Sequence, residues 1–312
     1  MSEKNLILGS RGSQLALWQT EWVKAELEKH VPGIHIEIEI IKTTGDKILD
    51  SPLSKIGDKG LFTREIEHAL LERRIDAAVH SLKDLPTKLP DGLCIGAVSR
   101  REDVRDVFIG NKNKLHGLDD LPDHATIATS SLRRRSQLLA WRPDLNIVDI
   151  RGNLNTRLAK LDESDWDGML LARAGVVRLG FQERITDTFA LDTMLPAVGQ
   201  GALAVEIREK EDKIKQYFKS LNSESTFIST SGERALLRYL EGGCQIPIGA
   251  YGRIEENVFH LDAFIGSLDG KKIVRGKIHG APEESEKLGE ALAKTLYESG
   301  GKPILEAIRI AN

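Results

Sequence analysis

The stretch LILGSRGSQLALWQTEWVKA at residues 6–25 decides how this chain begins to fold. Its first three residues are apolar and predict a strand, and a glycine-bearing turn at 9–13 follows. From Leu15 onwards, large apolar residues recur at helical spacing, which predicts a helix to about Lys29. A strand, a glycine turn and a helix in this order indicate the start of an α/β unit.

The next segments continue the same alternation. Residues 34–40 alternate isoleucine with polar residues, the period of a strand with one buried face, and we expect this strand to pair in parallel with the first. The polar, glycine-bearing segment 54–60 predicts a lid. A helix at about 63–73 and strands at 77–80 and 92–98 complete the first unit.

A second α/β unit follows the charged run 100–106, which predicts a crossing between domains. Strands at 127–129, 147–150 and 169–172 alternate with helices, and this alternation predicts a parallel sheet covered on both faces. The stretch 195–206 predicts the return of the chain to the first unit, and a smaller α/β domain follows it.

The length of 312 residues favours several domains, each with its own core. We predict domain 1 at 1–100 and 199–220, domain 2 at 101–198 and domain 3 at 221–312.

Composition narrows the class of protein. Hydrophobic residues make up 40% and charged residues 29%, as in ordinary soluble proteins. No apolar run has membrane-spanning length and no signal-peptide pattern precedes the first strand, so we expect a cytoplasmic protein. Zinc-ligand spacing, a P-loop and a strand-turn-helix GxGxxG are missing from the sequence, which disfavours a metal or nucleotide enzyme.

Basic residues recur where parallel strands end and helices begin, the edge at which α/β sheets bind ligands. These residues, with one serine, are Arg11, Ser13, Arg133, Arg134, Arg151 and Arg157. Helix N-termini and guanidinium groups at such positions favour carboxylates or phosphates. The alternative is that Arg133, Arg134 and Arg135 form an exposed helix face. Successive helical residues point about 100° apart, so at most two of the three converge on one target.

Asp84 is the best acid/base candidate, because it follows an apolar strand and lies beside Lys83, whose charge favours an ionised carboxylate. The alternative is an Asx turn or a surface ion pair. We expect His80 to satisfy a backbone contact at the end of the strand, and we assign Asp46 to a turn.

Cys244 lies in EGGCQIPIG at 241–249, after a predicted helix at 232–240 that ends at two glycines. A thiol on such a turn is a candidate nucleophile for C–S bond formation if a positive charge lowers its pKa. The alternative is a buried cysteine that packs as a small apolar side chain. Cys94, inside LCI, is assigned to core packing, and a cytoplasmic redox poise argues against a disulfide between the two cysteines.

Seven segments together resemble the porphobilinogen deaminase family, also called hydroxymethylbilane synthase. They are GSRGSQLALWQ at 9–19, GDKGLFT at 57–63, HSLKDLPT at 80–87, TSSLRR at 129–134, RGNLNTRL at 151–158, LPAVGQGAL at 195–203 and GGCQIPIG at 242–249. They occur in the order of the family and span nearly the whole chain. Val104 replaces a proline that is frequent in the family, and Ala204 replaces a glycine.

The resemblance implies an α/β fold with two periplasmic-binding-protein-like (type II) lobes around a cleft and a smaller α/β C-terminal domain that carries the cofactor cysteine. It implies a dipyrromethane cofactor attached to Cys244 by a thioether. The implied reaction condenses four porphobilinogen molecules head to tail with loss of ammonia and then releases hydroxymethylbilane by hydrolysis, a step of haem and porphyrin biosynthesis.

The resemblance also assigns roles to individual residues. It implies Asp84 as the catalytic residue, since a fixed carboxylate stabilises the azafulvene cation left by ammonia. The implied cofactor-binding residues are Cys244, Lys83, Ser13, Thr129, Ser131, Arg133 and Arg134. The implied substrate-binding residues are Arg11, Arg151, Arg157, Gln200 and Arg178. Lys55 and Lys59 are assigned to the lid, and no metal is expected.

Expected partners are porphobilinogen and, for product transfer, uroporphyrinogen-III synthase, with the chain a monomer that binds neither membrane nor nucleic acid. A rival hypothesis is an anion-binding solute-binding protein without catalysis, which the missing export signal disfavours. A nucleic-acid binder is disfavoured by the net charge of −3 and the aromatic content of 5%.

Overall fold

The computed structural model describes residues 4–47, 60–111, 115, 117–240 and 246–311. These residues form two compact units. The first contains the described residues of 1–49, 58–102 and 201–227, and the second contains those of 103–200 and 228–312. The division into three domains stays a prediction.

The elements follow the predicted alternation of strands and helices. The strands are β1 Lys4–Ser10, β2 Ile34–Ile40, β3 Ala77–Ser81, β4 Leu93–Val98, β5 Asp106–Gly110, β6 Thr126–Ala128, β7 Asn146–Val148, β8 Gly168–Ala172, β9 Asp187–Thr188, β10 Leu203–Arg208, β11 Ile248–Glu255, β12 Val258–Gly266 and β13 Ile273–Gly280. The helices are α1 Gln14–His30, α2 Thr44–Lys47, α3 Arg64–Leu71, α4 Leu132–Trp141, α5 Leu154–Glu163, α6 Arg173–Arg178, α7 Asp212–Tyr217, α8 Glu224–Tyr239, α9 Ser285–Leu296 and α10 Lys302–Ala311.

The first unit is built on a five-stranded sheet with the order β2-β1-β3-β10-β4. The predicted parallel pairing of the first two strands is confirmed, with Leu6 opposite Ile36. Strand β3 also runs parallel to β1, whereas β10 runs antiparallel to both β3 and β4. The predicted return of the chain is confirmed as well, because β10 enters this sheet after the excursion through residues 103–200.

The second unit contains a five-stranded sheet with the same pattern, in the order β7-β6-β8-β5-β9. Strands β7, β6 and β8 are parallel, and β5 runs antiparallel to β8 and β9. The predicted parallel arrangement is confirmed for these three strands, but the sheet as a whole is mixed because β5 runs antiparallel to both of its neighbours. Strand β5 comes directly from the crossing segment without a crossover helix, and its apolar sequence predicts a buried strand but not its direction.

The second unit also contains the antiparallel sheet β11-β12-β13, whose core includes side chains from α8, α9 and α10. Helix α8 begins at Glu224, so Gly232 lies inside it and the predicted helix start at residue 232 is wrong. A Cβ at Gly232 would lie 2.5 Å from Cζ of Phe259, and one at Gly289 would lie 2.2 Å from the Gly232 carbonyl oxygen. These glycines therefore mark a close crossing of α8 and α9 rather than a helix boundary.

We expect Gly289→Ala to lower the free energy of unfolding by about 1–3 kcal/mol, because the new methyl group meets a backbone oxygen that cannot move alone. Urea unfolding followed by circular dichroism measures the change. Glu290→Ala, at the exposed next position of α9, is the control. Equal stability of the two variants would contradict the close crossing.

Candidate active site

Two predicted anion-binding residues lie in the turn between β1 and α1. The Ser13 side chain accepts a hydrogen bond from a first-turn amide at 3.3 Å and so caps α1. Arg11 Nη2 lies 2.5 Å from Asp46 Oδ1, and its guanidinium lies 4.2 Å from the centroid of the Phe62 ring. Asp46 also accepts from Thr43 Oγ1 at 2.8 Å, so it combines the expected turn contact with an ion pair that the sequence did not reveal.

A cavity of about 50 Å³ lies where β1 and β3 end, and Arg11, Ser13 and Asp84 all line it. Asp84 is the last residue of a 3₁₀ turn that starts at Leu82. The buried Leu82 side chain anchors this turn in the core, whereas Asp84 is exposed. The pocket of the first unit thus brings the acid/base candidate Asp84 together with two anion-binding candidates, Arg11 and Ser13, from a distant part of the sequence.

His80 lines the same cavity, but its partner is not the backbone contact that we expected. His80 Nε2 lies 3.0 Å from Oε2 of Glu206 on β10, and both side chains are buried. That expectation is wrong because an imidazole at the end of a buried strand needs a strong partner, and the antiparallel neighbour supplies one. The signal for Glu206 was present in the sequence as a lone carboxylate within LAVEIR at 203–208, a strand buried throughout.

In the second unit, the N-terminus of α4 carries the predicted group of polar residues. Ser131 caps the helix by accepting from the Arg134 amide at 3.4 Å. Thr129 Oγ1 accepts from the Ser131 amide at 3.3 Å. Arg135 is exposed, whereas Arg133 and Arg134 are buried. Two of the three arginines therefore point inward, the number that helical geometry allows.

Arg133 and Arg134 converge on Asp106, the first residue of β5. Arg133 Nη1 lies 2.7 Å from Oδ2, and Arg134 Nη2 lies 2.8 Å from Oδ1. The Asp106 side chain has no exposed surface. Burial would raise the pKa of Asp106, but the two guanidinium charges and their hydrogen bonds outweigh it and hold the pKa well below its usual range. Two cations and one anion leave this buried cluster with a net positive charge.

Gln200 belongs to the same cluster and is almost fully buried. Its amide nitrogen donates to Asp106 Oδ1 at 2.9 Å and to the Val104 carbonyl oxygen at 2.7 Å. Its predicted contact with substrate stays a prediction, as do the cofactor contacts of Arg133 and Arg134.

The remaining predicted arginines of the second unit lie near the ends of short elements. Arg151 precedes α5, and its Nη1 atom is buried without a hydrogen-bond partner in the described part of the chain. Arg157 Nε donates to the Gly152 carbonyl oxygen at 2.8 Å. Arg178 is the last residue of α6. A buried guanidinium nitrogen without a partner is suited to an incoming carboxylate oxygen.

Cys244, Lys55 and Lys59 lie outside the described residues, so their predicted roles stay predictions. Cys94 is half-buried and packs against the core of the first unit, as expected. Burial raises the pKa of the Cys94 thiol, which makes it a poor nucleophile.

The described residues contain no group of three or more His, Cys, Asp or Glu side chains arranged to hold a metal ion. None of their helices combines the length and apolar character needed to span a membrane.

Comparison with known proteins identifies the class. Residues 6–216 match the family model described as "Porphobilinogen deaminase, dipyromethane cofactor binding domain", and residues 227–298 match "Porphobilinogen deaminase, C-terminal domain". The fold is thus α/β, built on two five-stranded mixed sheets, and the C-terminal domain is separate and smaller, as predicted. The likeness of the two sheet units to periplasmic-binding-protein lobes stays a prediction. The matched domain defines an enzyme with a dipyrromethane cofactor.

Curated relatives match over the whole chain. The porphobilinogen deaminase of Chloroherpeton thalassium is 54% identical over 99% of this chain and 99% of its own length. That of Chlorobaculum tepidum is 53% identical over 98% of this chain and 99% of its own length. The chain belongs to the porphobilinogen deaminase family, transferases of tetrapyrrole biosynthesis. This membership excludes the rival hypothesis of a solute-binding protein without catalysis.

Among solved structures, the methionine binding protein MetQ is similar over 69% of this chain and 89% of its own, with 13% identity and a TM-score of 0.43. A putative lipoprotein from Actinomyces odontolyticus is similar over 70% of this chain and 90% of its own, with 13% identity and a TM-score of 0.44. Similarity at this level assigns no function.

We expect Asp106→Asn to lower the free energy of unfolding by about 3–5 kcal/mol at neutral pH, because it leaves two buried guanidinium groups without an anion. The carboxylate has a depressed pKa in the folded state, so its contribution is complete above the unfolded pKa of about 4 and is lost as pH falls further. Urea unfolding from pH 7 to pH 3 measures the difference in the free energy of unfolding between wild type and variant. This difference should become smaller below about pH 4.

Asp119→Asn, at an exposed position of the same unit, is the control for this experiment. A difference that stays constant across the pH range would contradict the assigned ion pair.

Proposed function

We propose that this enzyme condenses four porphobilinogen molecules head to tail, with loss of ammonia, on a primer anchored at Cys244, and then releases hydroxymethylbilane by hydrolysis. The observation that carries this proposal is the pocket of the first unit, in which the Asp84 carboxylate shares one cavity with Arg11 and Ser13. A carboxylate beside an arginine and a capped helix start can hold an acidic substrate and stabilise a cation that forms on it.

The described residues fit a dipyrromethane cofactor. Each of its pyrrole rings carries an acetate and a propionate, so the group needs several dispersed cations and hydrogen-bond donors. The second unit offers the unpartnered Nη1 of Arg151, the net positive charge around Asp106 and the helix start at Ser131. When bound, the cofactor supplies a covalently held pyrrole with a free α-carbon to which the first substrate is joined. We assign its binding to Cys244, Lys83, Ser13, Thr129, Ser131, Arg133 and Arg134.

Asp84 is proposed to stabilise the positive charge that develops on the pyrrole when ammonia leaves. Its turn is fixed by the buried Leu82 below it, so the carboxylate is held in place before substrate arrives. A preorganised carboxylate needs little rearrangement as charge appears, and this lowers the barrier more than a mobile one would. The leaving amine also needs a proton, for which Asp84 is a candidate donor.

The substrate carboxylates are assigned to Arg11, Arg151, Arg157, Arg178 and Gln200, and a lid function to Lys55 and Lys59. Every addition brings two more carboxylates, so the growing chain needs arginines in more than one place. Arg11 occurs in the first unit and Arg151 in the second, which supports such a spread.

We further propose that the enzyme is a cytoplasmic monomer that passes hydroxymethylbilane to uroporphyrinogen-III synthase. The composition, with 40% hydrophobic and 29% charged residues, is typical of soluble proteins and supports this proposal.

We expect Asp84→Asn to lower kcat by about 10²-fold or more with little change in stability, because the amide keeps the shape of the exposed side chain but loses its charge. Ammonia release from porphobilinogen measures turnover, and circular dichroism checks the fold. Asp91→Asn, at another exposed aspartate of the first unit, is the matched control. Near-normal turnover of the Asp84 variant would remove the catalytic assignment.

We expect Cys244→Ser to fold but to lack the covalent cofactor, because a serine hydroxyl is a far weaker nucleophile than a thiolate. Intact-protein mass spectrometry should find the mass of two linked pyrroles on the wild type and not on this variant. Cys94→Ser is the matched control and should keep both the adduct and most of the activity, since Cys94 packs in the first unit with a raised pKa. An adduct that depends on Cys94 instead would contradict the tether.

A further inference from the structure

A buried polar cluster lies directly behind the cavity that Asp84 lines. It consists of His80 on β3, Glu206 on β10 and Glu67 on α3. Strands β3 and β10 pair antiparallel with Ala78 opposite Glu206, so His80, two residues after Ala78, projects from the same face as Glu206. Helix α3 packs on β3 and brings Glu67 to the cluster. The charges of His80 and Glu206 both affect the pKa of Glu67.

The cluster contains more carboxylate than structural pairing requires. Glu206 has no exposed surface and uses one oxygen for the 3.0 Å contact with His80 Nε2. Within the part of the chain that the structure describes, Glu206 Oε1 and Glu67 Oε1 are buried without hydrogen-bond partners. Each such group costs free energy, and an apolar pair of similar size would pack this face at lower cost. These two buried oxygens therefore lower the stability of the fold, which a purely structural role does not explain.

Glu67 and Glu206 differ in their surroundings. Burial raises the pKa of Glu67, and the charge of Glu206 adds to this effect, against opposing contributions from Thr63, His80 and His68. Glu67 thus retains its proton more readily than an ordinary glutamate. Glu206 is the carboxylate of the cluster that has the His80 imidazole as its hydrogen-bond partner.

His80 connects this cluster to the reaction site. His80 lines the cavity that Arg11, Ser13 and Asp84 also line, and its Nε2 atom contacts Glu206. A neutral imidazole that donates its Nε2 hydrogen to a carboxylate has Nδ1 left as an acceptor. Buried carboxylates fix the tautomer of catalytic histidines in this way and stabilise the imidazolium that forms.

We propose that His80 is the base that accepts the proton released from the pyrrole α-carbon at each condensation, and that Glu206 is a positioning residue that holds His80 in the accepting form. The inference rests on the proposed function, which supplies the reaction, and assigns a step that Asp84 need not perform. Asp84 then stabilises the cation, and His80 removes the proton.

The step balances in atoms and electrons. The aminomethyl group of the substrate is protonated and then leaves as ammonia, which generates a cationic carbon. The α-carbon of the chain end forms the new C–C bond to it. The C–H bond at that α-carbon then breaks, its electron pair returns to the pyrrole ring and its proton passes to His80. From His80 the proton moves to water or to the departing ammonia, so ammonium is the net product.

The charged groups around His80 decide how the step responds to pH. Glu67 and His68 come from α3, Glu206 from β10, Arg11 from the turn after β1, and Asp84 from the turn after β3. Of these, Glu206 is in direct hydrogen-bond contact with the ring. Its replacement by glutamine keeps the size of the side chain and removes the charge that favours a protonated imidazole.

The decisive experiment compares His80→Gln and Glu206→Gln in the cofactor-loaded enzyme, using porphobilinogen that carries deuterium at its free α-carbon. We expect kcat to fall by about 10²-fold in His80→Gln and by a smaller factor in Glu206→Gln, with KM changed little. Proton loss then becomes slow, so both variants should have a larger primary kinetic isotope effect than the wild type. In Glu206→Gln, the pH dependence of kcat should also shift.

His68→Gln on the exposed side of α3 and Glu209→Gln just after β10 are the matched controls, and both should keep the wild-type isotope effect. Nitrogen-15 spectra of histidine-labelled protein give a readout independent of activity, in which the tautomer signal of one histidine should change in Glu206→Gln. Intact mass confirms cofactor loading in each variant.

Two outcomes would overturn the inference. One is that both variants have the same isotope effect and the same pH profile as an active wild type. The other is a fall in kcat that only tracks the loss of folded protein, measured by circular dichroism. Failure of the proposed function itself has a different signature, namely a wild type that releases no ammonia from porphobilinogen.

Discussion

The ion pair of Asp106 with Arg133 and Arg134 is the interaction on which the second unit depends. It joins the first residue of β5 to the first turn of α4. Gln200, at the end of the segment 103–200, donates a hydrogen bond to the same carboxylate. Pairing both oxygens of the buried Asp106 carboxylate stabilises its charge, so these elements fix one another's positions. The residual positive charge of the cluster makes this part of the fold compatible with anionic ligands.

Carboxylates in the first unit lie in two contrasting environments because of where the fold places them. Asp84 is exposed at the end of a turn and lines a cavity with Arg11 and Ser13. Glu206 and Glu67 are buried a short distance behind the same cavity, where any charge must be matched by His80. Groups of the same chemical type therefore suit different tasks, cation stabilisation in one place and proton handling in the other.

Much of this architecture could be predicted from local sequence. Ser13 and Ser131 cap α1 and α4, two helices that local periodicity predicts. Helical geometry limits the inward-facing arginines among residues 133–135 to two, but it does not identify their target, Asp106, which lies 27 and 28 residues before Arg133 and Arg134 on another element. His80 was misassigned for the same reason, since Glu206 is separated from it by 126 residues.

Local periodicity and motifs in a fixed order were sufficient to predict the α/β alternation, the family and the residues on which the chemistry was expected. Only the tertiary structure decided the direction of β5, the placement of Gly232 inside a helix, and the partners of Arg11, His80 and Arg133. These features arise from contacts between distant segments, where the need to pair buried charge and to fit two backbones closely selects one arrangement that local patterns leave open.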